Sequence, residues 1–233
     1  YLPAFPAIAK SLNTEISKVT LSLTSYFIGI SFGQLIYGPV TDKFGRKRPL
    51  IFGLLLFLIA AIGCALSTSI NQLIFMRVIL ALGGCVGMVV SRAIVRDLFP
   101  ASEIAKIFST LMLIVGVAPI IAPTIGSWVV VNYSWNMIFY LLSVNAFLLF
   151  LAVYFFLPES KKPDPTKSLK IKSVLKDYKK VISDKTFLFY AFIGSIGSAG
   201  LFSYISGSSF VFIKYFGMKE SDFGMVFVLY AFG

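Results

Sequence analysis

Few residues in this chain are equipped for chemistry. Histidine is absent from all 233 residues, which removes imidazole acid–base catalysis and His-ligated metal sites. Cys64 and Cys85 each stand inside an apolar block, at no metal or redox spacing, and read as small packing residues. Three polar features remain. The stretch GPVTDKFGRKRPL, residues 38–50, sets Asp42 among Lys43, Arg46, Lys47 and Arg48. Ion pairs there can form, break and re-form as helices move, while Gly38 and Gly45 permit a close approach and a tight turn. Arg77 lies inside an apolar run, where a charge costs roughly 2.5–3.5 kcal/mol at mid-span. It either snorkels to an outer surface about five residues away, or faces a cavity and pairs with a carboxylate whose protonation it tunes. The third feature, GVAPIIAPTIG at 116–126, places Pro119 and Pro123 between Gly116 and Gly126. The prolines bend a helix and the glycines make room for a neighbour.

The elements that must position these residues are membrane spans. Apolar residues make up 58% of the chain and charged residues 13%, about half the share of a soluble domain. The apolar residues fall in blocks of about twenty, enough to cross a hydrocarbon core as helix. A water-soluble enzyme with one buried core is excluded. Full spans are expected at about 19–41, 49–67, 72–95, 105–130, 136–157 and 187–210. A partial span precedes them and another starts near 222. YLPAFPAIAK lacks the basic start and long apolar centre of a signal peptide and reads as the tail of a helix. The chain is therefore expected to be a piece of something longer.

Charge gives the orientation. The connection at 42–48 has four basic residues and one acidic, 92–106 has three and two, and 158–185 has nine and four. Those at 67–71 and 131–136 are uncharged, and 211–222 is balanced. The basic side is cytoplasmic, so residue 10 lies outside. The net charge of +11 is then an orientation signal with anionic lipid as its partner, not a nucleic-acid footprint. The organisation expected is a six-helix bundle over 1–157, a basic linker over 158–185 and the start of a second bundle over 186–233. In the linker, Pro163 and Pro165 break helix. Leu169, Val174, Leu175, Tyr178, Val181 and Ile182 then fit either a basic amphipathic helix on the inner surface or a solvated tether.

Residues 38–50 resemble the signature loop of the major facilitator superfamily, GxLaDrxGrkxxl. Gly38, Asp42, Gly45, Arg46 and Lys47 hold its fixed places, and Val40 stands where leucine is usual. In that family the loop latches the inner gate. Its aspartate and arginine engage each other and a helix of the other half. Arg77 matches a second motif of the superfamily, with Leu80 where glutamine is common. Residues 116–126 resemble the motif of exporters that exchange substrate for protons, although Ala122 and Ser127 replace glycines. YLPA, SRAIVRDLF at 91–99 and the seventh span resemble the bicyclomycin- and chloramphenicol-resistance (Bcr/CflA) branch. Ser208-Ser209 stands where that branch often has Ser-Pro. Its members carry an acidic residue just before YLPA, so the proton carrier is expected upstream of Tyr1.

The resemblance implies an all-α, twelve-span bundle, of which this chain is the first six-helix half and the start of the second. It implies proton-coupled export of small amphipathic drugs across the bacterial inner membrane by a monomer, with the proton gradient as energy source and no cofactor. Tyr26, Gln34, Asn145 and Tyr204 are candidates to touch substrate. Tyr26, Gly29, Gly33 and Tyr37 share one helical face, which either lines a cavity or forms bundle core. The pairs Gly29/Gly33 and Gly83/Gly87 read as close-packing sites. A proton-coupled importer of a small metabolite on the same fold is the nearest rival. A membrane-embedded enzyme or a receptor is the rival from another class, and no reactive groups converge for the former.

Overall fold

The computed structural model describes residues 1–217, apart from the side chains at 119, 120, 123 and several positions between 201 and 214. The span expected near 222 lies outside the described residues. Among the described residues every regular element is helical. A 3-10 turn, Leu2–Ala4, leads into α1 (Phe5–Ser11), followed by α2 (Ile16–Phe44), α3 (Lys47–Ala65) and α4 (Ile70–Leu98). Then come α5 (Ala101–Asn132), α6 (Trp135–Phe156), α7 (Ile171–Ile182) and α8 (Lys185–Ser209), which continues as a π-helical turn, Phe210–Tyr215.

Five helices, α2 to α6, are long and apolar enough to cross a membrane, α5 by its segment Ala101–Ala118. The 25 residues of α8 cover the span expected at 187–210. Most helices overrun the expected spans by a few residues, because helix continues beyond the oil into the interface. The chain divides into two compact units, Tyr1–Lys167 and Ser168–Gly233.

In the first unit α4 lies between α2 and α3, α3 also packs on α6, and α5 meets the N-terminal turn and α6. Glycines explain the closeness. A Cβ on Gly29 would lie 2.8 Å from the Ala81 Cβ, and one on Gly33 would strike the Cys85 sulfur. Gly83 faces α3, where a Cβ would strike the Phe57 backbone nitrogen and lie 2.8 Å from the Gly53 carbonyl oxygen. Without lipid-independent hydrophobic drive, such van der Waals contact is what holds membrane helices together. Gly87 has nothing within 4 Å. The Tyr26–Tyr37 face is thus largely bundle seam: Gly29 and Gly33 are buried against α4 and Tyr37 is buried with them.

Local chemistry fixes the helix ends. Ser69 Oγ accepts the Gln72 N–H at 3.3 Å and Gln72 Oε1 accepts the Thr68 N–H at 3.1 Å, which starts α4. Asn136 Nδ2 donates to the Ala65 carbonyl at 2.6 Å, tying the end of α3 to the start of α6.

Candidate functional site

Arg46 sits in the short turn between α2 and α3 and is only 5% exposed. Its Nε donates to Asp97 Oδ2 at 2.8 Å and its Nη2 to Asp97 Oδ1 at 3.4 Å, at the inner end of α4. Nη1 donates to Asp42 Oδ1 at 3.0 Å and to Thr41 Oγ1 at 3.1 Å, on α2. Burial works against the guanidinium's charge, but Asp97 and Asp42 outweigh it and hold Arg46 above its ordinary value.

The backbone of the same turn is held by the segment that follows α6. Glu159 Oε1 accepts the Arg46 N–H at 2.6 Å, and Glu159 Oε2 accepts the Lys47 N–H at 3.2 Å. A carboxylate here satisfies unpaired donors at the positive end of α3. Gly45 makes the seat possible. Its φ is +82°, and a Cβ would lie 2.8 Å from Glu159 Oε2 and 2.9 Å from the Lys161 carbonyl oxygen. Lys161 Nζ reaches Asp42 Oδ1 at 3.0 Å, Lys47 Nζ donates to the Tyr154 carbonyl at 2.9 Å, and the Asp164 N–H donates to the Lys43 carbonyl at 3.0 Å. One network therefore joins α2, α3, α4 and the start of the linker, and it can hold those ends together or release them.

The motif residues Gly38, Asp42, Gly45, Arg46 and Lys47 lie along this turn. Sequence reasoning missed Thr41, Asp97, Glu159 and Lys161. A signal existed: Asp97 and Glu159 are the acids nearest the inner ends of α4 and α6.

The second site lies further along α4. Arg77 is 5% exposed, with its guanidinium carbon 4.2 Å from the Tyr1 ring centroid and 4.1 Å from that of Tyr26. It does not snorkel. The two rings take its faces, and Nε is buried with no hydrogen-bond partner. Tyr1 Oη in turn pairs with Ser22 Oγ. Among the described residues no carboxylate forms an ion pair with Arg77.

The remaining candidates are dispersed. Gln34 Nε2 reaches Met88 Sδ at 3.7 Å across the α2–α4 seam. Asn145 is exposed on α6, which packs mainly on α3. On α5, Gly116 has nothing within 4 Å, and a Cβ on Gly126 would lie 3.5 Å from the Tyr1 nitrogen. The helix runs unbroken through Pro119 and Pro123, whose side chains, like that of Tyr204, lie outside the described residues.

Comparison with known proteins agrees with this arrangement. Residues 1–233 match the family model of the Major Facilitator Superfamily. The chain is 38% identical over 229 residues to the MFS-type transporter YdgK of Bacillus subtilis, covering 97% of this chain and 57% of the relative. It is 32% identical over 229 residues to a bicyclomycin resistance protein homolog of Haemophilus influenzae, covering 98% of this chain and 58% of the relative. A solved D-xylose–proton symporter shares the fold, with a TM-score of 0.65 at 18% identity over 99% of this chain and 62% of its own. The chain thus spans a little over half the length of the curated relatives it matches. The signature turn, the helical bundle and the family match over residues 1–233 lead to one assignment: this chain belongs to the major facilitator superfamily, and its long apolar helices make it a multi-pass protein of the bacterial inner membrane.

Proposed function

We propose that the full transporter exports small amphipathic, drug-like compounds across the inner membrane in exchange for protons. Arg77 carries this reading: a cation sealed in the bundle between two aromatic rings, with its buried Nε donor unspent. A carboxylate facing it, supplied from upstream of Tyr1, would pair with the guanidinium when ionised and give up that pairing when protonated. It would then take up a proton from the acidic outer side and lose it on the inner side. The inner latch of Asp42, Arg46, Asp97 and Glu159 favours one gate state. Proton and substrate move the cycle only through different affinities for the two states. Gly116, Pro119, Pro123 and Gly126 on α5 favour exchange over co-transport, and a relative named for bicyclomycin resistance favours a drug as cargo. The linker helix α7 completes the picture. Its apolar side and its lysines suit the inner leaflet of a monomer's surrounding lipid.

The test uses the complete protein in everted vesicles with an acid interior. Adding drug to the bath should make the interior more alkaline, as protons leave while drug enters. Arg77→Ala should abolish that signal with insertion preserved. Acidification on adding substrate would instead identify a proton-coupled importer.

A further inference from the structure

We propose that an anionic phospholipid of the inner leaflet binds in a groove between the end of α2 and the start of α3, with its phosphate on Arg48. The groove, about 410 Å³, is lined by Ile36, Tyr37, Val40 and Phe44 from α2 and by Pro49 and Phe52 from α3, with Tyr37 at its edge toward the α4 seam, and Arg48 is its charged lining residue. Ile36, Val40 and Phe44 repeat every four residues and occupy the side of α2 opposite Gly38 and Asp42. The groove therefore lies on the flank of the turn away from the gate residues. Exposed apolar side chains continue from it on both helices, Phe32 at 63% on α2 and Ile59 at 65% on α3, as a track for an acyl chain.

The cations of this turn have different fates. Arg46 and Lys47 are hydrogen-bonded and Lys43 lies 5.6 Å from the Phe44 ring centroid. Among the described residues Arg48 has no hydrogen bond, ion pair or ring partner, and it is exposed. A basic turn at the cytoplasmic end of two spans sits at headgroup depth. An apolar slot below a free guanidinium matches an acyl chain below a phosphate, since guanidinium binds phosphate through paired N–H donors. Among the described residues no carboxylate lines the groove, so the ammonium of a zwitterionic headgroup finds no anionic partner there. The anionic headgroup of phosphatidylglycerol carries no such group.

The test places a reporter in the groove of the complete transporter. Phe52→Trp protein is reconstituted with phosphatidylglycerol or phosphatidylcholine brominated on the acyl chains. The same protein without that tryptophan gives the background from the native tryptophans, Trp128 and Trp135 among them. Brominated phosphatidylglycerol should quench the new tryptophan with about fivefold higher apparent affinity, the effect of one basic residue near the surface. Arg48→Gln, which removes no hydrogen bond or ion pair among the described residues, should erase the preference. Equal quenching by both lipids with Arg48 in place would overturn the proposal. So would quenching by neither, which would mean that a helix of the other half or a second copy fills the groove.

Discussion

Arg46 and Arg48 are two residues apart and differ in nearly everything that matters physically: one is buried against Asp42 and Asp97, the other is exposed with no polar partner among the described residues. Removing Asp97 leaves a buried guanidinium with a half-exposed carboxylate, Asp42, as its remaining ion pair. Breaking a buried pair from one side costs roughly 3–5 kcal/mol, and the partial exposure here puts the effect at the lower end. Asp97→Ala in the full transporter should therefore lower the thermal midpoint and reduce efflux, and Arg46→Ala/Asp97→Ala should be less damaging than the sum of the single changes. Additive losses would mean that the two residues act independently. At the second site, Tyr26→Phe keeps a ring over Arg77 and should preserve export. Tyr26→Ala removes a cation–π contact of about 1 kcal/mol and should weaken export several-fold in a drug-accumulation assay. The turn itself was legible in the sequence, because Asp42, Gly45 and Arg46 are neighbours. Asp97 and Glu159 were legible only as acids near the inner helix ends, because they lie 51 and 113 residues from Arg46 and only folding selects them as its partners.

At the level of helices, period and length in the sequence were sufficient to place α2 to α6 and α8, since oil admits little else but helix. Which glycine meets which helix was not readable. Gly83 and Gly87 have the same spacing on paper, but one is pressed against α3 and the other has open space around it. Gly83→Leu should destabilise the bundle, because the clash is with backbone that cannot yield, whereas Gly87→Leu should leave the amount of folded, inserted protein unchanged. Retention in the membrane and resistance to unfolding measure both. No residue of α7 is buried, and its lysines lie on the side away from Val174, Leu175, Val181 and Ile182. Changing Lys172, Lys176, Lys179 and Lys180 to Glu should detach this helix from anionic bilayers, read as increased solvent access of a spin label at Leu175→Cys. Unchanged access would leave α7 a solvated tether.

Across the molecule, the first compact unit extends to Lys167, further than the last apolar residue of α6. The reason is local: Glu159, Lys161 and Asp164 are bonded to the turn between α2 and α3, so the first part of the basic linker packs with the bundle. Composition marks a change at residue 158, but composition is blind to such bonds. The orientation predicted from charge has a direct check. A membrane-impermeant thiol reagent should label Lys162→Cys in everted vesicles and not in intact cells, and the reverse pattern would overturn the topology. Cys64 and Cys85 are almost entirely covered, at 0% and 1% exposure, one in the core beside α1 and the other filling the notch at Gly33. The native sulfurs are thus hidden from aqueous reagents, and this half of the protein comes with a silent background. Probes can be attached one at a time, or in pairs for distance measurements, without first stripping out residues on which the packing depends.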